Sequence, residues 1–274
     1  MIPKKIHYCW LSEEEIPLQL LSCMNSWKEI MPDYEIILWD TKKFNIDSIA
    51  FVKEAFSVKK WAFACDYIRL YALYTEGGIY MDTDVLVKKK FNDFLSYDFF
   101  TSVEYHPSIV EEEQTQQYLN EDGSSKKPLT SIPGIDIQAA ILGAIKGHSF
   151  IKACMDNYTD NHFIKDDGSF NNKILAPSIY AITAEKYGFK YIDKYQYLQE
   201  KMLIIPSTVF ASALSLADGD SFAIHCCAGS WRDKNSKKPK CKILARLKDY
   251  VFWRYKESIK LIFMFIHRLK NHIN

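Results

Sequence analysis

Two aspartates one residue apart, Asp82 and Asp84 in the run I-Y-M-D-T-D-V-L-V, are the residues best suited to chemistry in this chain. In an extended segment both carboxylates turn to one face, roughly 7 Å apart along the strand, whereas a helix would spread them by about 200°. Two carboxylates so placed suit a hard divalent cation, Mg²⁺ or Mn²⁺, that takes oxygen ligands octahedrally and keeps positions open for phosphate oxygens. A bare D-x-D is also a common solvated turn. What sets this one apart is its setting, because it follows an apolar helix, a double glycine and an apolar strand.

The helix is predicted over residues 61–74, where Asp66 and Arg69 are the only charged residues among good helix and core formers. Three apart, the two share a helix face. They either form a local ion pair or both reach a ligand, since charges on an apolar surface are costly unless paired or hydrogen-bonded. Gly77 and Gly78 stop the helix, and residues 79–81 lead into the aspartates. Trp10 ends a first strand predicted over residues 5–10, where its ring can pack in the core or stack on a nucleobase. His7, on the same strand, is expected in the core or supporting the site.

Further elements alternate in type. Helices are expected over residues 16–30, 47–56, 147–158 and 177–187, and strands over residues 34–39, 97–103, 202–205 and 222–226. Alternation of this kind implies an α/β sheet with helices on both faces, and ligands of such sheets lie at the carboxyl ends of the strands, where Trp10 and Asp82-Thr83-Asp84 fall. Residues 104–131 form a long polar segment of the kind that is functional or mobile in a compact domain.

With 274 residues, 48% of them apolar, the chain can bury a full core and suits one α/β domain. The formal charge of +1 hides an asymmetry, because residues 232–274 hold thirteen Lys and Arg against three acidic residues. Residues 243–269 repeat apolar residues at three- and four-residue spacing with aromatics and basic residues interleaved. That is the pattern of an in-plane membrane helix, with an ordinary packed terminal helix as the alternative. Nucleic acid is not an expected partner, since the remainder is acidic. Seven cysteines without framework spacing argue for a reducing compartment. The chain shows no signal-peptide pattern and no apolar run of the roughly 20 residues needed to span a bilayer.

Three blocks, I-P-K-K-I-H-Y-C-W at the start, D-x-x-R followed by E-G-G-I-Y-M-D-T-D, and H-C-C-A-G-S-W near residue 231, resemble glycosyltransferase family 32, whose catalytic domain is similar to that of the large clostridial glucosylating toxins. The resemblance implies a GT-A fold, a mixed central sheet flanked by helices, over residues 1–231, with residues 232–274 as a basic linker and amphipathic helix. It implies that Asp84 touches the metal, that Asp82 serves the ribose, the sugar or the metal's water shell, and that His225 is a third metal ligand. Asp66 and Arg69 would hold donor sugar hydroxyls, Trp10 the base, and Ser230 and Trp231 the diphosphate from a closing loop hinged at Gly229. Gln138 or Asp136 stands near the place of a family asparagine beside the sugar, and Ala176-Pro177 where the family tends to show Gly-Pro. Both departures bear on donor choice.

The expected function is therefore metal-dependent, retaining transfer of a hexose from a nucleotide sugar, most simply a UDP-hexose, by same-face substitution. The acceptor expected is a lipid-linked oligosaccharide of bacterial surface polysaccharide synthesis, at the cytoplasmic face of the inner membrane. Two other readings use the same residues: a metal-dependent phosphohydrolase or nucleotidyltransferase, and a non-catalytic nucleotide-sugar-binding protein docked to the membrane.

Overall fold

The computed structural model describes residues 1–171 and 175–226. In chain order the elements are β1 (Lys5–Cys9), α1 (Leu18–Ile30), β2 (Glu35–Trp39), α2 (Ala50–Ser57), α3 (Trp61–Glu76), β3 (Gly78–Met81), β4 (Val85–Val87) and β5 (Phe99–Tyr105). They continue with α4 (Pro107–Glu112), β6 (Ile135–Ile137), β7 (Ile141–Ala144), α5 (Ser149–Thr159), α6 (Ala176–Ala184), β8 (Gln196–Leu198), β9 (Met202–Ile205), β10 (Phe210–Ala211) and β11 (Ala223–His225).

Among the described residues the strands form two sheets. The larger has eight strands in the order β2-β1-β3-β7-β5-β9-β8, with β6 paired to β5, and the smaller has the order β10-β11-β4. β1 runs parallel to β2 and β3, β7 is antiparallel to β3 and β5, and β5 is parallel to β9, so the large sheet is mixed. This is the mixed α/β architecture of a central sheet flanked by helices that the sequence leads one to expect.

α3 is the central helix. Phe63, Ala64, Cys65, Tyr67, Ile68, Arg69, Leu70, Ala72 and Leu73 are all buried, and consecutive buried positions cover more of the helix than one amphipathic stripe would. It packs against β1, β3 and β7 on one face of the large sheet, with α2 and α5 alongside. The opposite face carries α1 and the small sheet, where Met24, Trp27, Met31, Val85, Val87, Phe210 and Ala223 join Ile79 and Met81 in one apolar cluster. Gly77 ends α3 at φ +66°, its N–H donating to the Leu73 carbonyl. Gly78 has φ +120°, and a Cβ there would lie 2.9 Å from the Lys5 carbonyl oxygen and 3.0 Å from His7 Nε2. Only glycine lets β3 approach β1 so closely.

Two expectations change. Asp82-Thr83-Asp84 is not an extended strand but a turn between two sheets, closed by a hydrogen bond from Val85 N–H to the Asp82 carbonyl at 3.0 Å. The polar segment 104–131 is also more ordered than a bare loop. It holds the end of β5, α4 and a short turn of helix at Thr115–Tyr118, and is tied down by Thr115 Oγ1 to the Pro133 carbonyl and by an ion pair between Lys190 and Asp122. Among the described residues no helix is long and apolar enough to cross a membrane. Gly229, Ser230, Trp231 and the predicted tail helix lie outside the described residues.

Candidate metal and donor site

The site lies where strands of both sheets end. Asp82 follows β3, and its N–H donates to the Ala140 carbonyl at 2.9 Å, which fixes it against the entry to β7. Its Oδ1 accepts the Tyr80 hydroxyl at 2.7 Å and lies 3.7 Å from Arg69 Nη2. Asp84 precedes β4, only 8% exposed. Antiparallel pairing sets Val85 opposite His225, and Cys226 N–H closes on the Asp84 carbonyl at 2.9 Å. The register therefore carries the His225 ring to the aspartate, with Nε2 3.3 Å from Asp84 Oδ1.

Asp82, Asp84 and His225 each offer one ligand atom, all within 4.8 Å of one another. Neighbouring ligands of an octahedral ion with bonds of 2.0–2.1 Å are about 3 Å apart, and opposite ones about 4 Å. Two carboxylates and an imidazole so gathered form a candidate site for one divalent cation, their separation bound somewhat wider than a closed octahedral set. Burial pushes the Asp82 carboxyl up, and the neighbouring charge of Asp84 adds to this against the opposing Arg69, His225 and Tyr80. A bound cation would relieve that cost.

Arg69, 5% exposed, holds the second half of the site together. Nη1 donates to the Ala139 carbonyl at 2.8 Å, Nε to the Cys65 carbonyl at 3.3 Å, and Nη2 lies 3.0 Å from Asp66 Oδ1. The guanidinium also lies 4.9 Å from the Tyr80 ring centroid. The Asp66–Arg69 ion pair, one of the two alternatives, thus exists and is continuous with Asp82. Burial nonetheless outweighs Arg69 at Asp66, whose carboxyl is pushed up to about 7, with the Asp82 charge adding to the shift.

Trp10 follows β1, half-buried, its indole N–H donating to the Glu14 carbonyl at 2.8 Å. His7 is a core residue: Trp39 Nε1 donates to its Nδ1 at 2.9 Å and its Nε2 lies 2.8 Å from the Gly77 carbonyl. Those partners call for the neutral tautomer protonated at Nε2, and burial holds its pKa low. Gln138 departs from expectation. It is 0% exposed, and its amide donates to the Phe210 carbonyl at 3.0 Å, so it does not line the crevice. Asp136 lies on β6 opposite Glu104, and burial, helped by Glu104, pushes its carboxyl up to about 7.

Two contributors were not singled out in the sequence. Tyr80 could have been found, since residues two apart on a strand share a face and Tyr80 stands two before Asp82. Trp27, whose Nε1 donates to the Val85 carbonyl at 2.7 Å from across the small sheet, left no local signal.

Residues 17–101 match the family model described as the glycosyltransferase sugar-binding region containing a DXD motif. This span includes Asp66, Arg69, Asp82 and Asp84. Inositol phosphoceramide mannosyltransferase 3 of Schizosaccharomyces pombe is 32% identical over 100 residues, covering 35% of this chain and 28% of that protein. Subversion of eukaryotic traffic protein A of Legionella pneumophila is 27% identical over 119 residues, covering 34% of this chain and 18% of that one. The chain thus spans less than a third of the length of these curated relatives. Among solved structures, the PaToxG glycosyltransferase superposes with a TM-score of 0.46 at 19% identity, covering 68% of this chain and 69% of that chain. The segment that supplies the aspartate pair and the Asp66–Arg69 pair is therefore the part of the chain that is similar to DXD-containing glycosyltransferase sugar-binding regions.

Proposed function

We propose that the protein is a divalent-metal-dependent retaining glycosyltransferase that moves a hexose from a nucleotide sugar, most simply a UDP-hexose, to a hydroxyl group. The observation that carries this reading is the convergence of Asp82, Asp84 and His225 within 4.8 Å, beside a buried arginine, in a DXD-type sugar-binding region. When bound, the metal supplies Lewis-acid neutralisation of charge growing on the departing diphosphate. Asp82, Asp84 and His225 hold it.

The remaining work falls to the chain. The Asp66 carboxylate and the Arg69 guanidinium, pre-set by the Cys65 and Ala139 carbonyls, are placed to orient sugar hydroxyls next to Asp82. Arg69 is already desolvated and fixed, so its charge costs little reorganisation as the reaction proceeds. Trp10 offers an aromatic face for the base at the end of β1. The step proposed is same-face substitution, in which the acceptor oxygen bonds to the anomeric carbon as its bond to the diphosphate breaks and the acceptor proton passes to the leaving phosphate.

The acceptor is proposed to be lipid-linked, as in bacterial surface polysaccharide synthesis at the cytoplasmic face of the inner membrane. Support comes from the basic, aromatic-rich sequence of residues 232–274 and from a curated relative named for mannosyl transfer to inositol phosphoceramide. The test is nucleoside diphosphate release from a panel of UDP- and GDP-sugars, with Mn²⁺ and with chelator, in wild type and Asp84→Ala. Release from one donor, abolished by chelator and by the substitution, is expected. Inorganic phosphate or pyrophosphate as product would move the assignment to phosphohydrolase or nucleotidyltransferase, and donor binding without turnover would move it to a binding protein.

A further inference from the structure

The three residues that would share the cation hang from different sheets. Asp82 leaves β3 of the large sheet, whereas Asp84 and His225 belong to the small sheet, at β4 and at β11. The distance between Asp82 and His225 therefore depends on the turn and the β4–β11 pairing that join them, and also on what holds the small sheet against the large one. Ring packing does part of this, with Phe210 of β10 6.0 Å from Phe100 of β5 between centroids. Apolar packing of this kind tolerates small slides, because it has no directional preference.

A directional tie exists at one carbonyl. Phe210 of β10 accepts the Gln138 amide at 3.0 Å and, more weakly, the Ser102 hydroxyl at 3.4 Å, both donors belonging to the large-sheet side. Gln138 is itself anchored: its N–H donates to the Ser102 carbonyl at 2.9 Å, and its carbonyl accepts Thr101 Oγ1 at 3.2 Å. β10 pairs with β11 in the register Phe210↔Ala223 and Ala211↔Ile224, one residue short of His225. One side-chain bond and the β10–β11 pairing thus connect Gln138 to the residue before His225.

We infer that Gln138, resting on the metal-site reading above, is a positioning residue for that site: its amide holds β10, and through β10 and β11 it holds His225 within reach of an ion shared with Asp82. This differs from sugar contact, because the side chain is fully buried and its amide is spent on the Phe210 carbonyl. A buried carbonyl whose donor is lost costs on the scale of one hydrogen bond, about tenfold in an equilibrium constant.

The experiment is direct Mn²⁺ binding to the full-length protein, followed by the electron paramagnetic resonance signal of free Mn²⁺, without donor or turnover. Gln138→Met keeps volume and apolar packing while deleting the donor. It is expected to weaken Mn²⁺ binding about tenfold in wild type and to have no further effect in the His225→Ala background. Ser102→Ala, expected to act in the same direction but less, serves if Gln138→Met does not fold. Equal loss in both backgrounds, or unchanged Mn²⁺ binding in Gln138→Met, overturns the inference while leaving the metal site standing. Failure of wild type itself to bind Mn²⁺ overturns both.

Discussion

Asp66 is the residue whose replacement says most about the electrostatics of the site. Its carboxyl is pushed up from an ordinary 3.8 to about 7 by burial, with Arg69 opposing and Asp82 reinforcing the shift. A carboxyl whose folded-state pKa is raised keeps its proton where the unfolded chain has released it, so stability falls as pH rises from near 4 and levels off above about 7. Integrated for one group, the folded state loses roughly 2–3 kcal/mol between pH 5 and pH 8. Asp66→Asn preserves shape and removes this titration. In chelator, where no cation complicates Asp82, urea unfolding of both proteins at pH 5 and pH 8 should show the variant gaining roughly 2–3 kcal/mol on wild type across that interval. The absolute offset at either pH also contains the lost bond to Arg69 and is not diagnostic. A stability difference that stays constant to within about 0.5 kcal/mol, or that moves the other way, would refute the claim that burial beats the arginine at this position.

Tyr80→Phe removes the hydroxyl that donates to Asp82 at 2.7 Å and should weaken Mn²⁺ binding roughly tenfold, with unchanged affinity in the same resonance titration counting against the assigned contact. Removal of residues 241–274 should release the protein from anionic liposomes in a sedimentation assay, and retention of the truncated protein in the pellet would sink the membrane-docking proposal.

The sequence was most readable where one signal dominated. A continuous apolar run predicted β9 at Met202–Ile205, and an apolar helix stopped by two glycines predicted α3 and its end. The aspartate turn was misread as strand for a physical reason. Ile79 and Met81 before it and Val85 and Val87 after it all face one apolar cluster, so the two-residue alternation passes through the turn without a phase slip. Periodicity cannot report a change of sheet that keeps its phase. The pairing of Asp82 with Asp84 survived the misreading because both geometries bring the carboxylates together. Gln138 was misplaced because sequence position near a sugar-contact segment says nothing about which way a buried amide points. β10, two residues long, is too short for any period to register, whereas β11 falls inside the strand expected over residues 222–226; Trp27 lies 58 residues from the carbonyl that it holds.

Drawing ligands from two sheets has a thermodynamic consequence. Ion occupancy and closure of the small sheet become one linked equilibrium, in which each favours the other by the same free energy. A cation held by Asp82, Asp84 and His225 would act as a clasp as well as a reagent, opposing any opening that separates β11 from β3 by an amount set by its concentration relative to its dissociation constant. By the same reciprocity, any event that loosens the small sheet, at a distance from the carboxylates, becomes a means of releasing the ion.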